Sequence, residues 1–280
     1  AGEAFVHRRA NCMSFTLMIV AMLHHVGVEA RFNVVEIPLI GDMRDETMLV
    51  FYKHINAIVE FPFEGRAVVD LDMDAFNTSY EQRVITDAAA AAQYYNNRSM
   101  EYLQQGDIRA AFRYLAKAIS IEPRQSYFWS NLGSLYQRAG KLAAARAAFE
   151  VALEENDSDL VAMSNAARLY TSLGETKRAE ALARRVERFR AHNPYYRYLQ
   201  AVNAFRLSDY ETARRELLEA IRLHKQEHLC QFLLVAVYEK LGLHDAARQS
   251  MNTALELTTD EKQIARYKGK MDRLFSSADL

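Results

Sequence analysis

Cysteine is scarce in this chain: only Cys12 and Cys230 occur among 280 residues. Two thiols in separate stretches make no disulfide framework, so the fold rests on its apolar core. Four prolines and ten glycines are too few for a disordered or low-complexity chain. The eight histidines are scattered apart from the adjacent His24 and His25. No metal-ligand spacing occurs, so neither a metal nor another cofactor is expected. Also missing is a stretch that could cross a bilayer, since the longest apolar run holds only about eleven strongly apolar residues. No signal peptide is visible, and the chain opens without Met shortly before Cys12. It reads as a trimmed or processed product, which leaves the compartment open between cytoplasm and periplasm.

Charge is low overall but uneven. Residues 1–87 carry seven Lys/Arg against thirteen Asp/Glu, and the remainder 28 against 23. The basic residues of the second part are spread along helices rather than gathered in a stripe. Nucleic acid is therefore not an expected partner, whereas a polypeptide is.

What is present starts with Asn11 and the apolar run from Cys12 to Leu23, followed by His24-His25-Val26-Gly27. Asn11 is an N-cap, Gly27 a stop, and a helix this uniformly apolar is expected to be buried on most faces. Cys12 falls in the first turn, where unpaired backbone N–H groups and the helix dipole favour the thiolate. His24 and His25 lie about 18 Å along the helix from Cys12, too far to act as its base.

After Gly27, the alternating run Glu29–Ile37 reads as a strand ended by Pro38, and residues 39–47 as a charged loop. Met48–Tyr52 is a short strand or the start of the next, which runs from His54 to Phe61 and ends at Pro62. Ala67–Leu71 is its hairpin partner across a Glu64-Gly65 turn. With the turn near residue 62, His54 and Asp70 come close to pairing distance, about 5 Å between neighbouring strands. If the Cys helix packs its N-terminus on this hairpin, His54 takes or shares the Cys12 proton and Asp70 orients the imidazole. Backbone N–H groups near Cys12 then supply an oxyanion hole. Taken singly, each residue has a blander reading: a core thiol, a strand-end histidine, a solvated acidic edge.

Asn11-Cys12 ahead of an apolar helix, His54 opening a strand and Val68-Val69-Asp70-Leu71-Asp72 on its partner resemble the Cys-His-Asp triad of the transglutaminase-like superfamily. The resemblance implies a papain-like α+β domain over residues 1–87, N-terminally incomplete, with Cys12, His54 and Asp70 as the catalytic triad. It implies thioester formation at an amide, resolved by water in a peptidase or amidase, or by an amine in a transglutaminase. Two departures stand out. Ile55 replaces the usual aromatic residue after the His, with Asn56 next. The upstream segment that often supplies a side-chain oxyanion donor is missing, so no donor is assigned.

Residues 74–87 read as a linker or packed extension, and Asp87 as the cap of a helix opening at Ala88. From there the chain repeats every 34 residues, with starts near 92, 126, 160, 194 and 228. Position 20 is Ala111, Ala145, Ala179, Ala213 and Ala247; position 11 is Tyr102, Tyr136, Tyr170, Ala204 and Tyr238. This resembles the tetratricopeptide repeat, and implies five helix pairs over residues 88–280 with a capping helix near Glu261–Phe275. Such arrays stack into a superhelix whose concave face takes an extended peptide. Position 6 is Asn97, Asn131 and Asn165 in the first three copies, a ladder suited either to a peptide backbone or to bonds between neighbouring helices. Arg138 and Arg168 are candidate groove cations.

The expected fold is an α+β papain-like, transglutaminase-like domain followed by an all-α tetratricopeptide superhelix. The expected function is thiol-dependent amide chemistry on a polypeptide recruited by the repeats. Hydrolysis is favoured over amine transfer, because two-domain proteins of this bacterial type resemble peptidases or amidases and no feature marks an amine site. The competing reading is a non-catalytic adaptor with a degenerate first domain.

Overall fold

The computed structural model describes residues 11–45, 48–61, 65–71, 81–259 and 261–275. Twelve helices and one four-stranded antiparallel sheet occur among them. The chain divides into two compact units, Ala1–Val186 and Glu187–Leu280.

The first helix, α1 (Cys12–His25), starts on Asn11, whose side chain accepts from the Ser14 N–H at 2.8 Å. It ends before Gly27, which takes φ +77°, a conformation glycine adopts without steric cost. The expectation of burial on most faces is corrected. Only Met13, Thr16 and Val20 are buried, while Met22 is 51 % and Val26 69 % exposed, because the sheet takes up one side of the helix. His24 Nε2 lies 2.7 Å from the Ala30 carbonyl oxygen and ties the last turn to the first strand, while His25 is exposed.

The strands are β1 (Ala30–Asp45), β2 (Met48–Phe61), β3 (Gly65–Val69) and β4 (Glu81–Ile85), in the order β3-β2-β1-β4. Pro38 does not end β1. The β1–β2 pairing slips between Glu36 and Gly41, and an irregularity of this kind tolerates a residue with no N–H to give. Residues 39–45, expected as loop, are therefore strand, while 46–47 and the 62–64 turn lie outside the described residues. Met48–Tyr52 is the beginning of β2. The supposed linker contains β4, which pairs with β1 from Phe32↔Ile85 to Glu36↔Glu81; residues 72–80 lie outside the described residues.

Alternation along the strands sorts the side chains. Phe32, Val34, Ile55, Ala57 and Val59 join Met13, Val20, Ile85 and Ala90 in one apolar cluster. The intervening positions carry Asn33, His54 and Asn56, all buried.

Helix α2 (Asp87–Gln104) is capped by Thr86, whose hydroxyl accepts from the Ala89 N–H at 3.1 Å. Asp87, expected as the cap, is instead its first residue, where the helix dipole favours a carboxylate. Helix pairs follow. They are α2 with α3 (Ile108–Ile121), α4 (Ser126–Arg138) with α5 (Leu142–Glu155), α6 (Leu160–Ser172) with α7 (Thr176–His192), α8 (Pro194–Arg206) with α9 (Tyr210–Leu223), and α10 (His228–Lys240) with α11 (His244–Leu257). A final helix, α12, spans Glu261–Phe275. The α4, α6, α8 and α10 starts recur at the 34-residue spacing of the sequence pattern.

Small residues set how closely the pairs pack. Ala111, Ala145, Ala213 and Ala247 have no exposed surface, and Ala179 is 6 % exposed. At Gly133 an added Cβ would come within 2.5 Å of the Phe149 ring. In the first pair, Ser99 Oγ donates to the Ala111 carbonyl oxygen at 2.7 Å. Helix α2 serves two cores. Ala90 and Tyr94 pack in the sheet cluster, and Ala92 and Tyr95 in the first-repeat cluster with Leu115 and Phe128. In the second unit, Leu217, Cys230 and Leu234 share one cluster, and Met251 packs with Tyr267 of α12 in another.

Candidate functional site

The three residues singled out as a triad come together in the first unit. Cys12 is the first residue of α1, half-buried, and its sulfur lies close enough to the His54 side chain for the two to shift each other's ionisation. His54 Nε2 stands 2.7 Å from each carboxylate oxygen of Asp70. Nε2 is thus taken by Asp70, and Nδ1 is the ring nitrogen left for the thiol. The pair is sheltered, with side-chain exposures of 10 % for His54 and 0 % for Asp70.

Electrostatics follow from this placement. The His54 pKa rises from 6.5 to about 9, chiefly through its hydrogen bond to Asp70 and then through Cys12, against the opposing effect of burial. Burial alone pushes the Cys12 thiol up. The hydrogen bond and charge of His54 oppose it, with further help from backbone hydrogen bonds at Ile55 and Met13, and hold the thiol below its ordinary value. A thiolate facing an imidazolium is the arrangement that activates a cysteine nucleophile.

The first turn of α1 is fixed by a residue the sequence pattern did not single out. The Thr16 hydroxyl, fully buried, lies 2.8 Å from the Cys12 carbonyl oxygen and 3.1 Å from that of Ile55. A second overlooked group is a chain of amides. Asn56 Nδ2 donates to Asp70 Oδ2 at 3.0 Å, and Asn33 Nδ2 donates to Asn56 Oδ1 at 2.9 Å and to Gln82 Oε1 at 3.2 Å. Asn56 was visible only as a departure from the family pattern. Its partners are 14 and 23 residues away in sequence, so no local pattern announces them.

The other thiol is of a different kind. Cys230 is 1 % exposed, and burial pushes it up to about 12. Among the described residues no group of His, Cys, Asp or Glu is arranged to hold a metal ion. No helix among them is long and apolar enough to cross a membrane.

In the repeats, Asn131 and Asn165 bond between neighbouring helices. Asn131 Nδ2 donates to Asn96 Oδ1 at 2.7 Å, linking α4 to α2. Asn165 Nδ2 donates to Ser134 Oγ at 3.3 Å, linking α6 to α4, and accepts from Arg168 Nη2 at 2.6 Å. Asn97 is exposed and takes a weak 3.4 Å contact from Asn96. Arg138 and Arg168 are exposed, at the C-terminal end of α4 and in the middle of α6.

Family profiles of the tetratricopeptide repeat match residues 102–159, 136–202 and 198–262. Together they span more than half of the chain, which belongs to the tetratricopeptide-repeat family. Solved structures similar to it include the MamA protein of Desulfovibrio magneticus RS-1, 19 % identical over 61 % of this chain and 96 % of that one, with a TM-score of 0.35. Pseudomonas aeruginosa pilF is 16 % identical over 68 % and 95 %, with a TM-score of 0.36. The second tetratricopeptide domain of Spaghetti (RPAP3), bound to an HSP90 peptide, is 17 % identical over 35 % and 91 %, with a TM-score of 0.34. No curated protein sequence matches the chain.

Proposed function

We propose that this tetratricopeptide protein binds a polypeptide through its repeats and carries, on its N-terminal sheet, a thiol-dependent amide-bond enzyme of the transglutaminase-like type. The observation that supports the enzyme is the convergence of Cys12, His54 and Asp70, with His54 Nε2 2.7 Å from the Asp70 carboxylate, the thiol lowered and the imidazole raised. A helix that carries Cys12 in its first turn, packed on an antiparallel sheet with His54 on β2 and Asp70 just past the end of the adjacent β3, also suits a papain-like core.

In this reading the Cys12 thiolate attacks an amide carbonyl carbon, forming the C–S bond and a tetrahedral oxyanion. The His54 imidazolium then gives its proton to the leaving nitrogen as the C–N bond breaks, which leaves an acyl thioester and free amine. Water attacks the thioester with neutral His54 as base, releasing the carboxylic acid and restoring the thiol. An amine in place of water would give acyl transfer. The exposed side chains of Asn97, Arg138 and Arg168 are the groups assigned to partner contact. Asn131 and Asn165, each tied to the first helix of the preceding repeat, keep those repeats in register.

The test is alkylation of the folded chain by iodoacetamide, read at each cysteine by mass spectrometry. Cys12 should react at least tenfold faster than Cys230 at neutral pH, and His54→Ala should remove most of that advantage. Incorporation of a labelled amine into a candidate protein substrate separates transfer from hydrolysis. A second reading, an adaptor whose sheet is an inactive relic, is favoured by the share of the chain given to repeats. Slow labelling of Cys12, unchanged by His54→Ala, decides for it.

A further inference from the structure

The β2–β3 register pairs Ala57 with Val69. Continued by one residue, it sets Asp70 opposite Asn56 and leaves His54 on the diagonal. Both side chains reach the carboxylate, Asn56 Nδ2 at 3.0 Å and His54 Nε2 at 2.7 Å. An ionised carboxylate only accepts, so Asn56 must present its NH2 to Asp70 and turn its carbonyl oxygen away. That oxygen in turn requires a donor, which Asn33 supplies at 2.9 Å. The orientation of two buried amides is therefore dictated outward from Asp70, across β3, β2 and β1, to Gln82 on β4.

Energetics argue against a merely structural rung. Asn33 and Asn56 have no exposed surface, and Asn33 Oδ1 has no hydrogen-bond partner among the described residues. Burying amides with one oxygen unpaired costs free energy that a pair of β-branched apolar residues would not. The neighbouring positions Val35 and Ile58 are such residues, buried at 0 % and 1 %. What an apolar pair could not provide is an N–H directed at Asp70.

We infer that Asn56 is a positioning residue for the Cys12 site: its amide holds the Asp70 carboxylate turned toward His54, and Asn33 holds Asn56. The inference rests on the thiol-enzyme reading above. Loss of the Asn56 amide leaves the carboxylate less fixed, the imidazolium less favoured, and the Cys12 thiolate less populated at low pH.

The experiment is the pH dependence of Cys12 alkylation in the full chain, compared among wild type, Asn56→Leu, the double variant Asn33→Val/Asn56→Leu, and His54→Ala. Leucine keeps the volume without the donor. The double variant replaces both partners by apolar groups and so keeps the fold should the single change not. The expected result is a fast wild-type reaction extending below the ordinary thiol range. In the Asn56 variants its midpoint should move up by about one pH unit, a loss of about tenfold in rate at acidic pH. A folded Asn56 variant whose profile superimposes on a fast wild type overturns this inference and leaves the enzyme reading standing. A wild-type profile equal to that of His54→Ala overturns both.

Discussion

The Thr16 hydroxyl joins the Cys12 carbonyl, one helical turn back, to the Ile55 carbonyl, next in sequence to His54. One buried side chain thus holds the helix that carries the thiol at a fixed distance from the strand that carries the imidazole. Thr16→Val keeps the shape and removes the hydrogen bond, leaving a buried carbonyl short of a donor. It should cost about 1–3 kcal/mol in urea unfolding. Cys12 alkylation should slow in the folded variant, and Thr16→Ser should restore it. Unchanged alkylation in folded Thr16→Val would show that the link is not needed to hold the site.

The ionisation of the pair sets a pH window. His54 rises from 6.5 to about 9, so the stability its protonation adds is fully present below pH 6.5 and is lost as pH rises through 9. Cys12 is lowered from 9.0, so its contribution is present above 9.0 and is lost as pH falls through its lowered value. The ion pair is therefore populated from that lowered value up to about 9. In the proposed enzyme, amide cleavage needs the imidazolium proton for the leaving nitrogen and should decline above about pH 9 in kcat/KM. An NMR titration of the His54 ring should show a midpoint near 9 in wild type and one displaced toward 6.5 in Asp70→Asn. A wild-type midpoint at 6.5 would contradict the geometry of the pair.

Gly133 lies where the two helices of one repeat pack together, with the Phe149 ring in the space a Cβ would need. Gly133→Ala should destabilise the chain by about 1–3 kcal/mol through overpacking, measured by urea unfolding. Cys12 alkylation in the folded variant should be unchanged. Combining it with Phe149→Leu should recover part of the loss, since the two sites share one contact.

In the second unit, Tyr267 of α12 is fully buried, stacked on Phe232 at 4.1 Å between ring centroids, with its hydroxyl 2.8 Å from His228 Nδ1. Tyr267→Phe keeps the ring and removes the hydroxyl with its hydrogen bond to His228, and should cost about 1 kcal/mol. Tyr267→Ala also opens a cavity and should cost about 3–5 kcal/mol. Equal losses for the two would mean that packing on Phe232 contributes nothing.

The repeats were legible because one residue type recurs at one interval: Ala111, Ala145, Ala179, Ala213 and Ala247 are all buried where helices meet. The nearness of Cys12, His54 and Asp70 was legible as an order of residues on elements, although the hairpin register differs by two residues from the symmetrical one, so that Asp70 faces Asn56 and meets His54 diagonally. Less was legible where tertiary pairing overrides a local signal. Pro38 read as an end, yet β1 passes through it at a slip in register. Glu81–Ile85 has too short and mixed a pattern to announce a strand, and becomes one by pairing with β1. The apolar circumference of α1 suggested burial on most faces, whereas the buried residues Met13, Thr16 and Val20 lie on the side the sheet covers. Thr16, Asn33 and Asn56 were missed because a polar residue inside an apolar pattern does not reveal its distant partner.

The double membership of α2 has a consequence for anyone dissecting this chain. Ala90 and Tyr94 complete the hydrophobic interior beneath the strands, while Ala92 and Tyr95, one helical turn or less away, complete that of the first helical hairpin. A scissor cut at the apparent border before residue 88 would strip the sheet of its lid and leave greasy surface on both fragments. The smallest portion to produce in isolation therefore carries the strands together with the helices that follow them.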